Sequence, residues 1–413
     1  MAAAVLSIGT ELTRGELANT NARWLGERLT SLGLDVRQIL TVPDDSDVLV
    51  SAVTRLAAET STVVATGGLG PTTDDLTAAA VARALGVPLV RHEPSIEAIK
   101  RRFATLGRDP SPSNFKQADL PQGADVLPNP VGTAPGFAVQ LGACRFFFLP
   151  GVPAEMQRLY DDHVQPVLQA RAERNRYQLR LKTFGLPESQ VGERLAGLEE
   201  RHPGLVIGYR AHFPEVEVKL LVQAANGGEA EELTHKIAVE ARERLGDAVF
   251  AEGDDTYPEV LGRLLRDRGM TIALAESCTG GMLGSLITAV PGSSEYLLFD
   301  AVTYSNAAKT SVLGVSGEIL RAYGAVSAEC AAAMADGARR VADSDLAISI
   351  TGVAGPGGGS EEKPVGTVWF GIARRARETQ AVKHTLSWGD RERIRRAACF
   401  VAMRMLSNAA REP

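Results

Sequence analysis

Short apolar runs that break into glycine-, serine- or aspartate-rich turns, and then into amphipathic stretches, recur at both ends of this sequence. That rhythm restricts the fold more than any other feature. Val5 to Ile8, Val63 to Ala65 and Phe146 to Leu149 are such runs, and within Asn19 to Gly33 the residues Leu25, Leu29 and Leu32 fall on one helical face. Alternation of this kind builds an α/β layer fold with a largely parallel sheet, whose ligands bind at the strand ends. At 413 residues the chain is too long for one ordinary core. Its texture divides it into an α/β segment 1–168, a small α+β connector 171–252 and a second α/β segment 256–413. The connector is expected to hold an Arg-rich helix from about Arg171, an alternating strand from Glu215 to Gln223 and a helix from Glu229 to Leu245. In the last segment, strands are expected at Thr271 to Ala275, Leu298 to Tyr304, Leu346 to Ile350 and Gly366 to Ile372. An Ala-rich helix from Ser327 to Val341 stands behind a serine N-cap.

Composition narrows the function. Apolar residues make up 45% and charged residues 23%, and no apolar run approaches the roughly eighteen residues a membrane span needs. Met1 to Ile8 lacks a basic leader and reads as a buried strand, so secretion is not expected. Cys144, Cys278, Cys330 and Cys399 form no Cys-x-x-Cys pair, which argues against a disulfide framework and structural zinc and fits a reducing cytoplasm. A formal charge of -6 gives no electrostatic reason to bind nucleic acid, so small ligands are the expected partners.

Two groups of motifs carry chemistry. In the last segment, Ala275-Glu276-Ser277-Cys278-Thr279-Gly280-Gly281 follows a strand and opens an apolar-periodic helix from Gly280 to Val290. This puts the Ser277 hydroxyl on a tight turn, where free helix-start amides could receive an oxyanion and small residues let a substrate approach. An N-cap serine with packing glycines explains the same heptapeptide. A serine needs a base. No histidine lies in a Gly- or Ser-rich motif here, and His384 reads as a sheet residue; Tyr304-Ser305-Asn306-Ala307-Ala308-Lys309 instead offers a lysine that burial could deprotonate, with Tyr304 as relay. Taken alone, Lys309 reads better as a solvated helix residue, and the neighbouring motifs are what favour a base. Ile350-Thr351-Gly352 leads into the glycine-rich run Gly355 to Gly359, which suits a mononucleotide phosphate, and Gly389-Asp390-Arg391 opens a helix that Asp390 would cap, where Arg391 could reach that phosphate or simply belong to a capped surface helix. In the first segment, Thr66-Gly67-Gly68-Leu69-Gly70-Pro71-Thr72-Thr73-Asp74-Asp75 joins glycines that admit a phosphate to acids that can hold a hard cation or merely start a helix. Val42-Pro43-Asp44-Asp45, Pro130 to Phe137 and Leu149 to Met156 are further strand-end loops, and their convergence would make a cleft for a large phosphorylated ligand.

In this order, the motifs resemble the competence/damage-inducible CinA family over the whole chain. The N-terminal blocks are similar to the molybdopterin-binding MoaB and MogA proteins, the connector to a KH-type segment, and the C-terminal blocks to a nicotinamide-nucleotide amidohydrolase domain. The resemblance implies that the C-terminal domain hydrolyses nicotinamide mononucleotide to nicotinate mononucleotide and ammonia without a cofactor. Ser277 would be the nucleophile, Tyr304 and Lys309 its activating partners, and Cys278, Thr279, Gly280, Gly281, Asn306, Thr351, Gly352 and Arg391 the oxyanion and substrate contacts. It implies that the N-terminal domain cleaves ADP-ribose with Mg²⁺, Mn²⁺ or Co²⁺ on Asp44 and Asp75, the ligand meeting Gly67, Gly68, Gly70, Thr72, Asp74, Asn114, Lys116 and Thr133. A homodimer is also implied. The connector has no Gly-x-x-Gly loop, so RNA clamping does not carry over, and no residue shows a link to RecA or DNA uptake. Three alternatives stay open: Cys278 as the nucleophile with Lys309 and Glu276 assisting, an N-terminal domain that only binds a pterin or nucleotide, and a scaffold recruited by a competence or RecA-type DNA-processing partner.

Overall fold

The computed structural model describes residues 1–171, 175–386 and 389–412. They form two compact units, Met1–Gln178 with Val222–Thr234, and Leu179–Leu221 with the chain from His235 onward. Among the described residues no helix is long and apolar enough to cross a membrane.

The first unit is built on a six-stranded sheet in the order Asp35–Val42, Ala2–Ile8, Thr62–Thr66, Cys144–Leu149, Gly136–Leu141 and Asp125–Leu127. The first four strands run parallel and the last two antiparallel. Val63, Val64 and Ala65 are wholly buried because helices cover both faces, which is why that strand is a continuous apolar run. The expected amphipathic stretch is the helix Thr20–Ser31, with Asn19 accepting the Ala22 amide as N-cap and Leu25 and Leu29 fully buried.

In the second unit, the connector's sheet has the order Leu205–His212, Glu215–Gln223, Arg176–Phe184 and Val249–Glu252. The expected strand at Glu215 to Gln223 is present with those bounds, while the helix expected from Glu229 begins two residues earlier, as Gly227–Leu245. The expected Arg-rich helix falls partly on 172–174, outside the described residues, and from Arg176 the chain is a strand instead. Phe184, at the end of that strand, packs on Phe400 with ring centroids 5.3 Å apart.

The larger sheet of this unit has the order Leu297–Val302, Ile272–Glu276, Leu346–Gly352, Thr367–Arg374 and Gln380–Thr385. The first three strands are parallel and the last two antiparallel. Ala273, Ala275 and Ala347 face the helices Asn306–Leu313 and Ala328–Ala342, while Leu274, Ile348 and Ile350 face Tyr257–Asp267, Met282–Thr288 and Arg391–Arg411. Small side chains on the first face bring its helices close. A Cβ on Gly337 would lie 2.1 Å from the Leu313 carbonyl oxygen, so the helix of Lys309 rests directly on that glycine. Ala normally favours a helix over Gly by about 1 kcal/mol, but this contact is with backbone and cannot yield cheaply. Gly337→Ala is therefore expected to lose roughly 1–3 kcal/mol in urea unfolding; a gain in stability would show that the two helices part freely.

Candidate active site

The strand Ile272–Glu276 ends in the middle of the parallel part of its sheet, and Ser277 is the first residue beyond it. The Ser277 amide still donates to Ile350 O at 3.0 Å, so the nucleophile candidate is tied to the neighbouring strand. The helix expected from Gly280 to Val290 is shorter, Met282–Thr288, because Gly280 and Gly281 hold left-handed conformations at φ 61° and 87°. The lysine comes from a second strand-to-helix passage: after Leu297–Val302, Ser305 caps the helix Asn306–Leu313 by accepting the Ala308 amide, and Lys309 points inward from its first turn.

Lys309 is 1% exposed. Its Nζ donates to Thr303 O at 2.6 Å and lies 3.0 Å from Ser277 Oγ. Burial holds this amine below the usual lysine value of 10.5. The same burial pushes the Cys278 thiol up to about 11, which keeps it protonated near neutrality and leaves the hydroxyl as the group next to a base. His384 lies in the strand Gln380–Thr385 against Phe370, as a sheet residue should.

Around this pair the remaining candidates divide. The amides expected at the helix start are already spent: Gly281, Leu283 and Gly284 donate to the Glu276 carboxylate, and Gly280 donates to Ser277 O. Gly280 and Gly281 are thus not oxyanion donors. The amides of Cys278 and Thr279 donate to no carbonyl or carboxylate among the described residues. Tyr304 is 63% exposed, and its Oη accepts from Arg391 Nη2 at 3.0 Å, while Arg391 Nη1 donates to Gly355 O at 2.6 Å. Arg391 therefore ties Tyr304 to the glycine-rich loop, a role its position in the sequence did not reveal. Asn306 is exposed on the first turn of its helix. Thr351 and Gly352 have framework duties: the Thr351 hydroxyl donates to Ala325 O at 2.7 Å, and a Cβ on Gly352 would lie 2.6 Å from Thr367 O. Arg395, which the sequence reading missed, donates to Thr279 O from Nε at 3.2 Å and from Nη2 at 2.5 Å. Its signal was the four-residue spacing from Arg391, which puts both on one face of the helix. The buried hydroxyls of Thr279 and Thr303 have no partner among the described residues, as happens where a polar ligand or water completes a site.

In the first unit the carboxyl ends of the four parallel strands open on a cavity of about 640 Å³. Asp44, Gly67, Gly68, Gly70, Asp74, Asp75 and Thr133 line it, as does the Pro150–Pro153 loop, so the separate strand-end loops do converge. Glu155, from the Leu149 to Met156 loop, lines it too, as do Glu11, Asn21 and Gln117, which no motif marked. The amides of Gly68, Leu69 and Gly70 donate to no protein acceptor among the described residues, which leaves them for an anion. Thr72 Oγ lies 2.5 Å from carboxylate oxygens of both Asp74 and Asp75, and hydrogen bonding to Thr72 lowers the Asp74 pKa. Thr72, Asn114 and Lys116 do not line the cavity. Asn114 Oδ1 accepts the Ser111 amide at 2.8 Å as part of a capping box, and Lys116 Nζ donates to Thr72 O at 2.5 Å, so both shape the loop. Among the described residues no three His, Cys, Asp or Glu side chains gather to hold a metal ion. The carboxylates of Asp44 and Asp75 in this lining still suit a hard cation that takes one or two protein ligands and completes its shell on phosphate oxygens.

Residues 254–410 match the family described as CinA C-terminal domain, residues 4–170 the probable molybdopterin binding domain, and residues 178–251 the damage-inducible protein CinA KH domain. A CinA-like protein of Geobacter metallireducens is 46% identical over 98% of this chain and 98% of its own. One of Geobacter sulfurreducens is 47% identical over 98% of each. The crystal structure of the protein CinA from Thermoplasma acidophilum is 36% identical, covers 40% of this chain and 97% of that one, and superposes with a TM-score of 0.38. With close to half of its positions shared across the length of these relatives, the chain belongs to the CinA-like family, with a MoaB/MogA-like domain at its N-terminal side.

Proposed function

We propose that the second unit hydrolyses the carboxamide of nicotinamide mononucleotide, with Ser277 as nucleophile and Lys309 as general base. The observation that carries this reading is the buried Lys309 Nζ standing 3.0 Å from Ser277 Oγ. In its neutral form the amine takes the hydroxyl proton as Oγ adds to the carboxamide carbon, and the oxyanion is received by the amides of Cys278 and Thr279. The ammonium then passes its proton to the departing nitrogen, which leaves as ammonia, and the acyl group remains on Ser277 as an ester. Water gives a proton to Lys309 and attacks that ester, releasing the carboxylate and restoring the hydroxyl. Arg391 ties Tyr304 to Gly355, and this arginine with the Gly355–Gly359 loop would receive the nucleotide phosphate. The choice of nucleotide rests on the family resemblance, and the choice of reaction class on the serine and lysine.

Ser277→Ala is expected to cut ammonia release from nicotinamide mononucleotide by about 10⁴-fold or more, while Cys278→Ala keeps most of it; the reverse pattern would move the nucleophile to the thiol. Because Lys309 works unprotonated, kcat/KM should climb with pH and level off around a midpoint below the 10.5 of an ordinary lysine. A midpoint at or above that value would show an amine that burial does not tune.

A second reading concerns the first unit, where the cavity with its carboxylates, and the Gly68, Leu69 and Gly70 amides that donate to no acceptor among the described residues, favour pyrophosphate hydrolysis of ADP-ribose. Asp44 and Asp75 would hold a divalent cation, which when bound supplies neutralisation of the phosphate charge. The loop amides orient the phosphates, and the convergent strand-end loops restrict water to the reacting face. With Mg²⁺, Mn²⁺ or Co²⁺ the full chain should form AMP from ADP-ribose, and excess chelator should stop this while ammonia release from nicotinamide mononucleotide continues. Absence of AMP with all three metals would leave this unit a binding module.

A further inference from the structure

The turn that carries Ser277 is gripped by two charged side chains, and neither is among the reacting groups. Glu276, the residue before the nucleophile, is fully buried. Its Oε2 accepts from the amides of Gly281 at 2.9 Å and Leu283 at 3.3 Å, and its Oε1 accepts from Gly284 at 2.7 Å. A carboxylate is tolerated out of water only when its oxygens are satisfied, and three amides satisfy this one. Its main chain is fixed as well, since Glu276 pairs with Val302 and Ile350 in the sheet and Thr303 donates to its carbonyl at 2.8 Å. One residue thus binds the sheet with its backbone and the start of the helix Met282–Thr288 with its side chain, and Ser277 to Gly280 are the chain between those two anchors. Arg395 holds the same turn from the other side through Thr279 O.

We propose that Glu276 is the positioning residue of this site. Its carboxylate sets the pitch of the turn 277–281, so that Ser277 Oγ stays at Lys309 and the Cys278 and Thr279 amides stay open to the oxyanion. By consuming the helix-start amides it also decides which amides are left for catalysis. The inference rests on the amidase reading for its kinetic test but not for its structural one. A glutamine at this position has nearly the same shape, yet its NH₂ must face at least one backbone N–H, so a donor meets a donor and the turn relaxes.

In the full chain, Glu276→Gln is expected to lower kcat for ammonia release roughly 10- to 100-fold, as a small misplacement of a nucleophile does, with KM held within about twofold. Hydrogen exchange of the amides from Gly281 to Gly284 should speed up in the same variant without substrate. Should Glu276→Gln fail to fold, Glu276→Asp, which keeps the charge but shortens the reach, is read in the same way. An unchanged kcat, or a raised KM at unchanged kcat, would overturn the proposal, and so would unchanged exchange at these amides. If the wild type releases no ammonia, the amidase reading fails, and the exchange measurement alone decides whether Glu276 holds the turn.

Discussion

An amine with almost no access to water, hydrogen-bonded to one carbonyl and one hydroxyl, is the constraint around which the second unit is arranged. Lys309 reaches that position only because two parallel strands, Ile272–Glu276 and Leu297–Val302, end side by side and pass into helices on opposite faces of the sheet. One crossing delivers a hydroxyl and the other a base. Desolvation is costly for a cation and far less so for a neutral amine, so the fold itself shifts the lysine toward the form that accepts a proton. The same dryness works in the opposite sense on Cys278, whose thiol it keeps protonated. A single physical effect therefore separates two adjacent candidate nucleophiles.

The first unit solves a different problem with the same architecture. Its four parallel strands also end together, but they pass into loops of glycine and aspartate, so that backbone donors and carboxylates share one cavity. Neutral amides suit an anion and carboxylates a cation, so one ligand that meets both presents the two charges side by side.

Much of this was readable beforehand, for reasons that lie in the residues. A buried parallel strand has to be apolar on both faces, which made Val63 to Ala65 conspicuous, and a tight strand-to-helix turn has to use small residues, which exposed Ser277 to Gly281. Caps are local, so Ser327 and Asp390 were found where they act. What remained hidden depends on direction in space. Nothing near Glu276 in the sequence says that its carboxylate turns forward onto the amides of Gly281, Leu283 and Gly284, and this is why those amides looked available. Arg391 stood out as a phosphate ligand, but nothing in the sequence says that two of its guanidinium nitrogens also join Gly355 O to Tyr304 Oη. Asn114 and Lys116 follow the same pattern: polar residues in a promising loop whose atoms are spent on the loop itself.

The helix Arg391–Arg411 brings Arg391 and Arg395 to the active turn with its first residues and fills the core with Ala397, Val401, Met403 and Leu406 further along. Removing this helix would uncover the sheet face beneath it, take the guanidinium from Thr279 O and cut the tie between Tyr304 and the glycine loop in a single step. The surroundings of Ser277 and Lys309 thus share one cooperative fate with the core of their unit: local loosening of this helix and loss of the arrangement at the turn are the same event.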